Sequence, residues 1–491
     1  MPLLRLFFAF IFMAVLTSGE VCAQKKETVI TKKYAPAQLK EDAQVLTKVL
    51  LAMHPAIGIY QPRSWYQRLF LNFENSFTDS LTEKEFRLRT KLLVDELHCG
   101  HTEVLYSKRY YREMNRLRLN YSPFVFLPMQ NKAYMIANLN KKQDSILRRG
   151  TEITSINGIG VDSILRYSKR YISSDGYNET AKNHYIQLSF NSFLLGLFGR
   201  PDTFNVEYKQ GIALNHLYYP AFKPKRMPPL TLGPKDDSTF HYFKRAKIKY
   251  RFMDRNNKDM WVKIERFTHT GDAKAYRRIF KKLKKNKSEN LIIDLRNNGG
   301  GSLANTYRLL SYLLVTSETQ TLRTTIKKYP YKKYTKGNWS FLLTRTAYKL
   351  IGKKITVHDT DNFVYTIKPR KKNHYDGKLI VLINGGSFSA SCLVSAYLKK
   401  NNRALFLGEE TGGTIEGCNA GVTPFYKLPN TKIRVRVPAF RIVHDVNPTI
   451  TGHGIIPDYP TYYSLKDILN KRDVELKLVK DLLKLNKTAK N

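Results

Sequence analysis

Two glycine-flanked segments of the 491-residue chain carry the residue types that nucleophilic hydrolysis needs. Asn384-Gly385-Gly386-Ser387-Phe388-Ser389-Ala390-Ser391 follows the apolar run 379–383 and precedes a helical stretch holding Leu393, Val394, Tyr397 and Leu398. A serine at a tight strand-to-helix turn presents its hydroxyl at the sheet edge, and the first helical N–H groups point at whatever it attacks. That arrangement supplies a nucleophile and half an oxyanion hole. The same residue types also make ordinary loops and helix caps. The second segment is Asp294-Leu295-Arg296-Asn297-Asn298-Gly299-Gly300-Gly301. Three glycines after a strand let the backbone approach a ligand closely and offer N–H donors. No Gly-Lys-Ser/Thr follows, which argues against a nucleotide P-loop. In a third segment, His98, Cys99 and His101 are chemically able to bind a metal, but their spacing fits no zinc motif. No metal and no cofactor are expected.

These segments need elements to position them. Residues 36–105 read as helical: Leu39, Ala43, Leu46 and Leu50 share a face, and His54-Pro55 breaks the pattern. Thr82 and Glu85 form a capping-box pair, and Phe86, Leu93 and Leu97 continue the stripe. Gly100 is placed to end that helix. Residues 106–250 turn to short β-like runs, with Asn157-Gly158 as a hairpin turn and Pro220 to Pro234 as a linker. From about Lys258 the pattern is α/β, with buried strands at 291–295, 379–383 and 405–407 and an amphipathic helix between the last two. Between the first two strands lies a basic insert, 323–378, with 15 Lys and Arg against three Asp. Tyr329, Tyr331, Tyr334, Trp339 and Tyr348 are interleaved with it, as in a lid or an exposed excursion. Residues 466–491 form a helical tail.

The N-terminus and the charge bound the setting. Arg5, the apolar run Leu6 to Leu16 and Val21-Cys22-Ala23 make up a secretory signal peptide over residues 1–23. The run is too short to span a bilayer, so a periplasmic or extracellular protein is expected. Cys99, Cys392 and Cys418 remain after cleavage, an odd number that excludes a disulfide scaffold; Cys392 and Cys418 could pair or lie buried as thiols. The formal net charge is +43, spread along the chain rather than gathered in one arm. No nucleic-acid motif accompanies it, so no nucleic-acid partner is expected; contact with an anionic envelope surface fits the charge.

Taken together, the two glycine-flanked segments resemble those of the tail-specific, or C-terminal processing, proteases of family S41. The family's further motifs match Ala404 to Gly413 and Gly454-Ile455-Ile456-Pro457-Asp458. Leu147 to Gly158 resembles the PDZ-domain signature, with Glu152 in place of its Asp. The resemblance implies an α/β protease core over 258–465, a mixed β-sheet with flanking helices of the crotonase-like or ClpP-like kind. An N-terminal helical domain and a PDZ-like β-rich domain precede it. Carried over residue by residue, Ser389 is the nucleophile, with Ser387 as the fallback. The Ala390 amide and one from Gly299 to Gly301, most plausibly Gly300, hold the oxyanion. The lysine of the Ser-Lys members is replaced by Thr414. The tricorn-like branch instead takes a base from a Gly-His step, which here is Gly100-His101. A histidine ordinarily titrates near 6.5, which suits a general base at neutral pH. That branch's glutamate falls at Thr451, leaving Asp445, Glu410 and Glu416 as candidates for the third member. The implied activity is serine-type endopeptidase cleavage of a polypeptide entering as an extended chain, recognised at its C-terminus where the PDZ-like groove works. An inactive peptide- or envelope-binding relative and an esterase are the other classes.

Overall fold

The computed structural model describes residues 28–488 apart from 118–119, 141–146, 200, 224–238, 325, 327–331, 336–342, 344–345, 347–352, 358–359 and 449. The expected signal peptide, Tyr329, Tyr331, Trp339 and Tyr348 of the insert, and residues 224–234 of the linker lie outside the described residues. No helix of the described residues is long and apolar enough to cross a membrane.

Apolar runs at the centre of the chain assemble one mixed sheet. Its strand order is His241–Phe243, Ile248–Phe252, Asp259–Ile264, Asn290–Asp294, Lys378–Ile383, Leu405–Gly408, Tyr459–Pro460. The first two pairings are antiparallel and the remaining four parallel. Asn290–Asp294 is buried at every position, as a central strand covered on both faces must be. Helices Asp272–Lys285, Leu303–Leu313 and Ala390–Lys400 connect these strands. Both glycine-flanked segments therefore leave the carboxyl ends of adjacent parallel strands, the edge where open α/β sheets bind ligands.

The helical tail is part of this architecture. Val479 and Leu483 pack on Trp261, Ile292, Ile380, Leu382 and Leu407 across one face of the sheet. Its start is fixed by Arg296, whose guanidinium donates to Asp294 Oδ2 (2.8 Å), Asp473 Oδ1 (2.8 Å) and Glu475 Oε2 (2.9 Å). Burial alone would raise the Asp294 carboxyl, and the adjacent Arg296 charge reverses this and holds it below its usual value.

The N-terminal helices Pro36–Met53 and Glu83–Asp95 carry the predicted stripes, Arg63–Asn75 lies between them, and Thr82 and Glu85 make the capping box. They have no separate core. Leu39, Leu46, Leu50, Phe86 and Leu97 belong to the same apolar cluster as Ile293, Val381, Leu393, Tyr426 and Val435. Strand Glu103–Leu105 adds to Arg434–Arg436 in antiparallel register, Val104 facing Val435. Buried Asp42 accepts from the Asn430 and Thr431 amides at 2.7 and 2.8 Å.

Residues 124–220 form a second unit with its own core of Phe124, Phe126, Ile153, Ile156, Phe190, Phe204 and Val206. Its antiparallel sheet runs Phe124–Met129, Lys132–Asn138, Glu152–Ile156, Thr203–Gln210, Ala213–Pro220. Asn157 (φ 49°) and Gly158 (φ 76°) make the expected hairpin between Glu152–Ile156 and Ile159–Gly160. In the basic insert, Lys353–Val357 and Thr360–Ile367 pair antiparallel, and Thr360–Ile367 pairs with Glu318–Thr324, so part of the insert extends a second sheet.

His54, at the predicted helix break, is buried and joins the helices to the segment that carries His101. Its Nε2 lies 2.7 Å from Thr102 Oγ1, and its Nδ1 accepts from the Ala56 amide at 3.1 Å. Burial pushes its pKa down to about 3. An unfolded histidine takes a proton near 6.5, so below that pH the unfolded chain binds more protons at this site, and the penalty on folding grows until about pH 3 and then stays constant. Buried carboxyls such as Glu416, raised by burial, act in the opposite direction, so a paired comparison isolates the histidine. The difference in urea-unfolding free energy between wild type and His54→Gln should narrow as pH falls from 7 to 4. A difference constant over that range would mean that His54 takes its proton in the folded state.

Candidate active site

The turn that carries Ser389 is held in a strained conformation. Ser389 has φ 56° and ψ −114°, outside the regions a side chain favours and worth about 1–3 kcal/mol of strain. Surrounding hydrogen bonds impose it. The Phe388 amide donates to Asn298 O (3.0 Å), Ser387 Oγ donates to Leu295 O (2.8 Å), and Ser391 Oγ donates to Asn298 O (2.8 Å). The Asn384 Nδ2 group donates to Asn297 Oδ1 at 2.9 Å. The two glycine-flanked segments are thus knitted into one platform. Ser387 and Ser391 are fully buried and serve as its fasteners, which leaves Ser389 as the serine at the turn.

His101 reaches this platform from the helical segment, 288 residues away: its Nε2 lies 3.2 Å from Ser389 Oγ. The sequence placed Gly100 as a helix terminator, but helix Glu83–Asp95 ends with Glu96 as its cap. Gly100 has a different role. A Cβ there would sit 2.7 Å from Cζ of Phe388. The absent side chain lets Phe388 stack on the His101 ring, with centroids 4.8 Å apart and planes at 29°. The His101 carbonyl accepts from Arg436 Nε (3.1 Å), fixing the backbone behind the ring.

Gly300 lies against Ser389, with φ 96°. A Cβ there would fall 2.8 Å from Ser389 Cβ and 2.9 Å from the Ala390 nitrogen. The space in front of Ala390 N is open because position 300 is glycine, and as the first helical residue Ala390 has no intrahelical acceptor. The expectation for the Gly300 amide itself is corrected: it donates to Asn298 Oδ1 at 2.9 Å. Asn298 is fully buried and folds back on its own loop two residues ahead, as short amide side chains do. Thr414, at the lysine position of the Ser-Lys members, is buried and donates its hydroxyl to Gly417 O.

None of the three acidic candidates has His101 among its hydrogen-bond or ion-pair partners. Glu410 accepts from Asn178 Nδ2 (3.0 Å), Thr180 Oγ1 (3.1 Å) and the Gly454 amide (2.7 Å), tying the second unit to the core. Glu416 accepts from the Gly452 amide (2.9 Å), and Asp445 pairs with Lys400 (3.2 Å). The carboxylate beside His101 is instead Asp175, with Oδ1 3.9 Å from Nδ1. Asp175 Oδ1 accepts from the Gly100 amide at 2.8 Å. The neighbouring Gly176 amide donates to His98 O at 3.0 Å, and the Tyr177 amide donates to Gly452 O at 2.8 Å. Asp175 lies in Ser173-Ser174-Asp175-Gly176, a stretch with no motif or periodicity to single it out. A further contact absent from the sequence reading is His184, packed against Gly386 of the turn that carries Ser389. Cys99, Cys392 and Cys418 are buried free thiols, so Cys392 and Cys418 do not pair.

Asp175→Asn should lower kcat by about tenfold. That falls well short of the roughly 10⁴-fold seen where the carboxylate is hydrogen-bonded to the ring. Asp445→Asn should change the rate little. Equal rates for wild type and Asp175→Asn would remove Asp175 from the site.

Residues 260–461 match Peptidase family S41. A 152-residue stretch, 31% of this chain, is 29% identical to the tail-specific protease of Haemophilus influenzae and spans 17% of that protein's length. Two solved structures share the fold. Mature CPAF gives a TM-score of 0.58 at 15% identity, over 89% of this chain and 94% of that one. Mature CPAF complexed with lactacystin gives 0.60 at 16% identity, over 91% and 98%.

Proposed function

From a chain whose residues 260–461 match Peptidase family S41, we propose an exported serine peptidase that cuts peptide bonds through an acyl-enzyme on Ser389. The observation that carries this reading is the 3.2 Å approach of His101 Nε2 to Ser389 Oγ, within reach for proton transfer. With its proton on Nδ1, the His101 ring accepts the Ser389 hydroxyl proton at Nε2 as Oγ attacks the scissile carbonyl carbon. The Ala390 amide, and a second from Gly299 or Gly301, stabilise the oxyanion; losing one such donor typically costs about 100- to 1,000-fold in rate. The tetrahedral intermediate collapses with cleavage of the C–N bond, and protonated His101 gives its proton to the leaving amine. Water, deprotonated by the same ring, then releases the acyl group from Ser389. The Asp175 carboxylate favours the Nδ1–H tautomer and offsets the charge that forms on the ring.

Residues 124–220 take the PDZ-like role in this proposal, adding a substrate's C-terminal strand to the antiparallel sheet; the Asn157-Gly158 hairpin supports that reading. Export rests on residues 1–23, and contact with an anionic surface rests on the +43 charge.

A fluorophosphonate probe tests the centre of this proposal. Wild type should be labelled on Ser389, Ser389→Ala should lose the label, and His101→Ala should label about 10²-fold or more slowly. Label persisting in Ser389→Ala would move the nucleophile elsewhere, and an unlabelled wild type would favour a peptide-binding role.

A further inference from the structure

The face of His101 turned away from Ser389 has its own chemistry. Cys99 Sγ, His101 Nδ1 and an Asp175 carboxylate oxygen all lie within 4.8 Å of one another. Cys99 is fully buried and Asp175 is 2% exposed. Two of the polar atoms there, His101 Nδ1 and Asp175 Oδ2, are buried with no hydrogen-bond partner, an arrangement costly to leave unsatisfied. Cys99 Sγ makes a long contact to Asn419 O, 3.7 Å, and the Thr102 hydroxyl and the His101 and Thr102 amides also lie beside the thiol. The trio suggested by sequence, His98, Cys99 and His101, does not assemble in this way. His98 Nδ1 faces Gly176 O at 3.0 Å, and Asp175 supplies the third donor.

We propose that Cys99, His101 and Asp175 form an inhibitory binding site for a zinc-type divalent cation, one that arrests the general base by occupying its rear nitrogen. One sulfur, one imidazole nitrogen and one carboxylate oxygen suit zinc, with bonds of about 2.0–2.3 Å. Such bonds place ligand atoms roughly 3.3–3.8 Å apart, a contraction of about 1 Å or slightly more from the widest spacing present. The consequence for catalysis follows from proton positions. A metal on Nδ1 displaces the proton there, and the neutral ring then carries its proton on Nε2. The Cys99 thiol proton passes to solvent. Nε2 then donates to Ser389 Oγ and no longer has a lone pair to accept the hydroxyl proton. The inhibitory effect rests on His101 being the base, as proposed above; metal binding itself does not.

Cobalt(II) and zinc(II) provide separable tests. Ser389→Ala protein titrated with Co²⁺ should bind one equivalent and develop a thiolate-to-cobalt charge-transfer band. The band should vanish with Cys99→Ala added and persist with Cys392→Ala or Cys418→Ala. Asp175→Asn, close in shape, should weaken Co²⁺ binding and gives a second variant if Cys99→Ala folds poorly. In protein with Ser389 intact, Zn²⁺ should slow fluorophosphonate labelling reversibly, with a chelator restoring the rate. The half-inhibiting Zn²⁺ concentration should rise at least about tenfold in Cys99→Ala, each protein being compared with its own metal-free rate. A cobalt band that survives Cys99→Ala, or equal Zn²⁺ sensitivity in Cys99→Ala and wild type, would overturn the site. A cobalt band that depends on Cys99, in a wild type that no fluorophosphonate labels, would support the site and overturn the serine-peptidase reading instead.

Discussion

The contact between His101 and Ser389 joins two parts of the chain that share no local structure, and it exists only because the N-terminal helices are built into the core. A chain segment 288 residues from its partner is held within hydrogen-bond distance by three kinds of interaction. Apolar burial supplies the bulk of the attraction, since Leu46, Leu50, Phe86 and Leu97 lie in one cluster with Val381, Leu393 and Val435. Strand pairing of Glu103–Leu105 with Arg434–Arg436 sets the register, which fixes where residue 101 falls along the core. The Arg436 bond to the His101 carbonyl and the Asp42 bonds to Asn430 and Thr431 then pin the position to within a side chain's reach.

The serine side of the contact depends on a different device. A residue at φ 56° with a Cβ persists only where its surroundings over-determine it. Here the determinants are buried hydrogen bonds from Ser387, Ser391 and Phe388 to the neighbouring loop. That loop is in turn held by Asn298, which donates to Ile264 O (2.8 Å), and by Arg296, whose carboxylate partners include Glu475 of the C-terminal helix Val474–Thr488 and Asp473 just before it. The tail therefore contributes to the geometry around Ser389 from the far side of the sheet.

Much of this was legible in the sequence. The two glycine-flanked segments read as loops at strand ends because buried strands are long apolar runs, and both runs became adjacent parallel strands. The Asn157-Gly158 hairpin and the Thr82–Glu85 capping box were readable because each is decided by neighbours within a few residues. Gly100 shows where local reasoning stops. As a helix-ending glycine it has an adequate local explanation, yet its requirement comes from Phe388, on a different element. Glu410 and Glu416 lie near family motifs in the chain, but their carboxylates are engaged by Asn178, Gly454 and Gly452. Asp175 lies in a segment with no pattern at all, and comes beside His101 through the pairing of Gly176 with His98 and Tyr177 with Gly452.

The sequence alone thus determined the type of core, the loop that bears Ser389, the identity of Thr414 in place of a lysine, and the candidacy of His101. The first two are properties of residue type and short-range spacing; the last two are what the family resemblance implied. Tertiary structure alone decided which carboxylate lies beside the imidazole, that the Gly300 amide is engaged by Asn298, and that Cys99 and Asp175 share the rear face of His101. Those are distances between side chains on separate elements. They are fixed by packing and register summed over the whole fold, and no short stretch of sequence carries that sum.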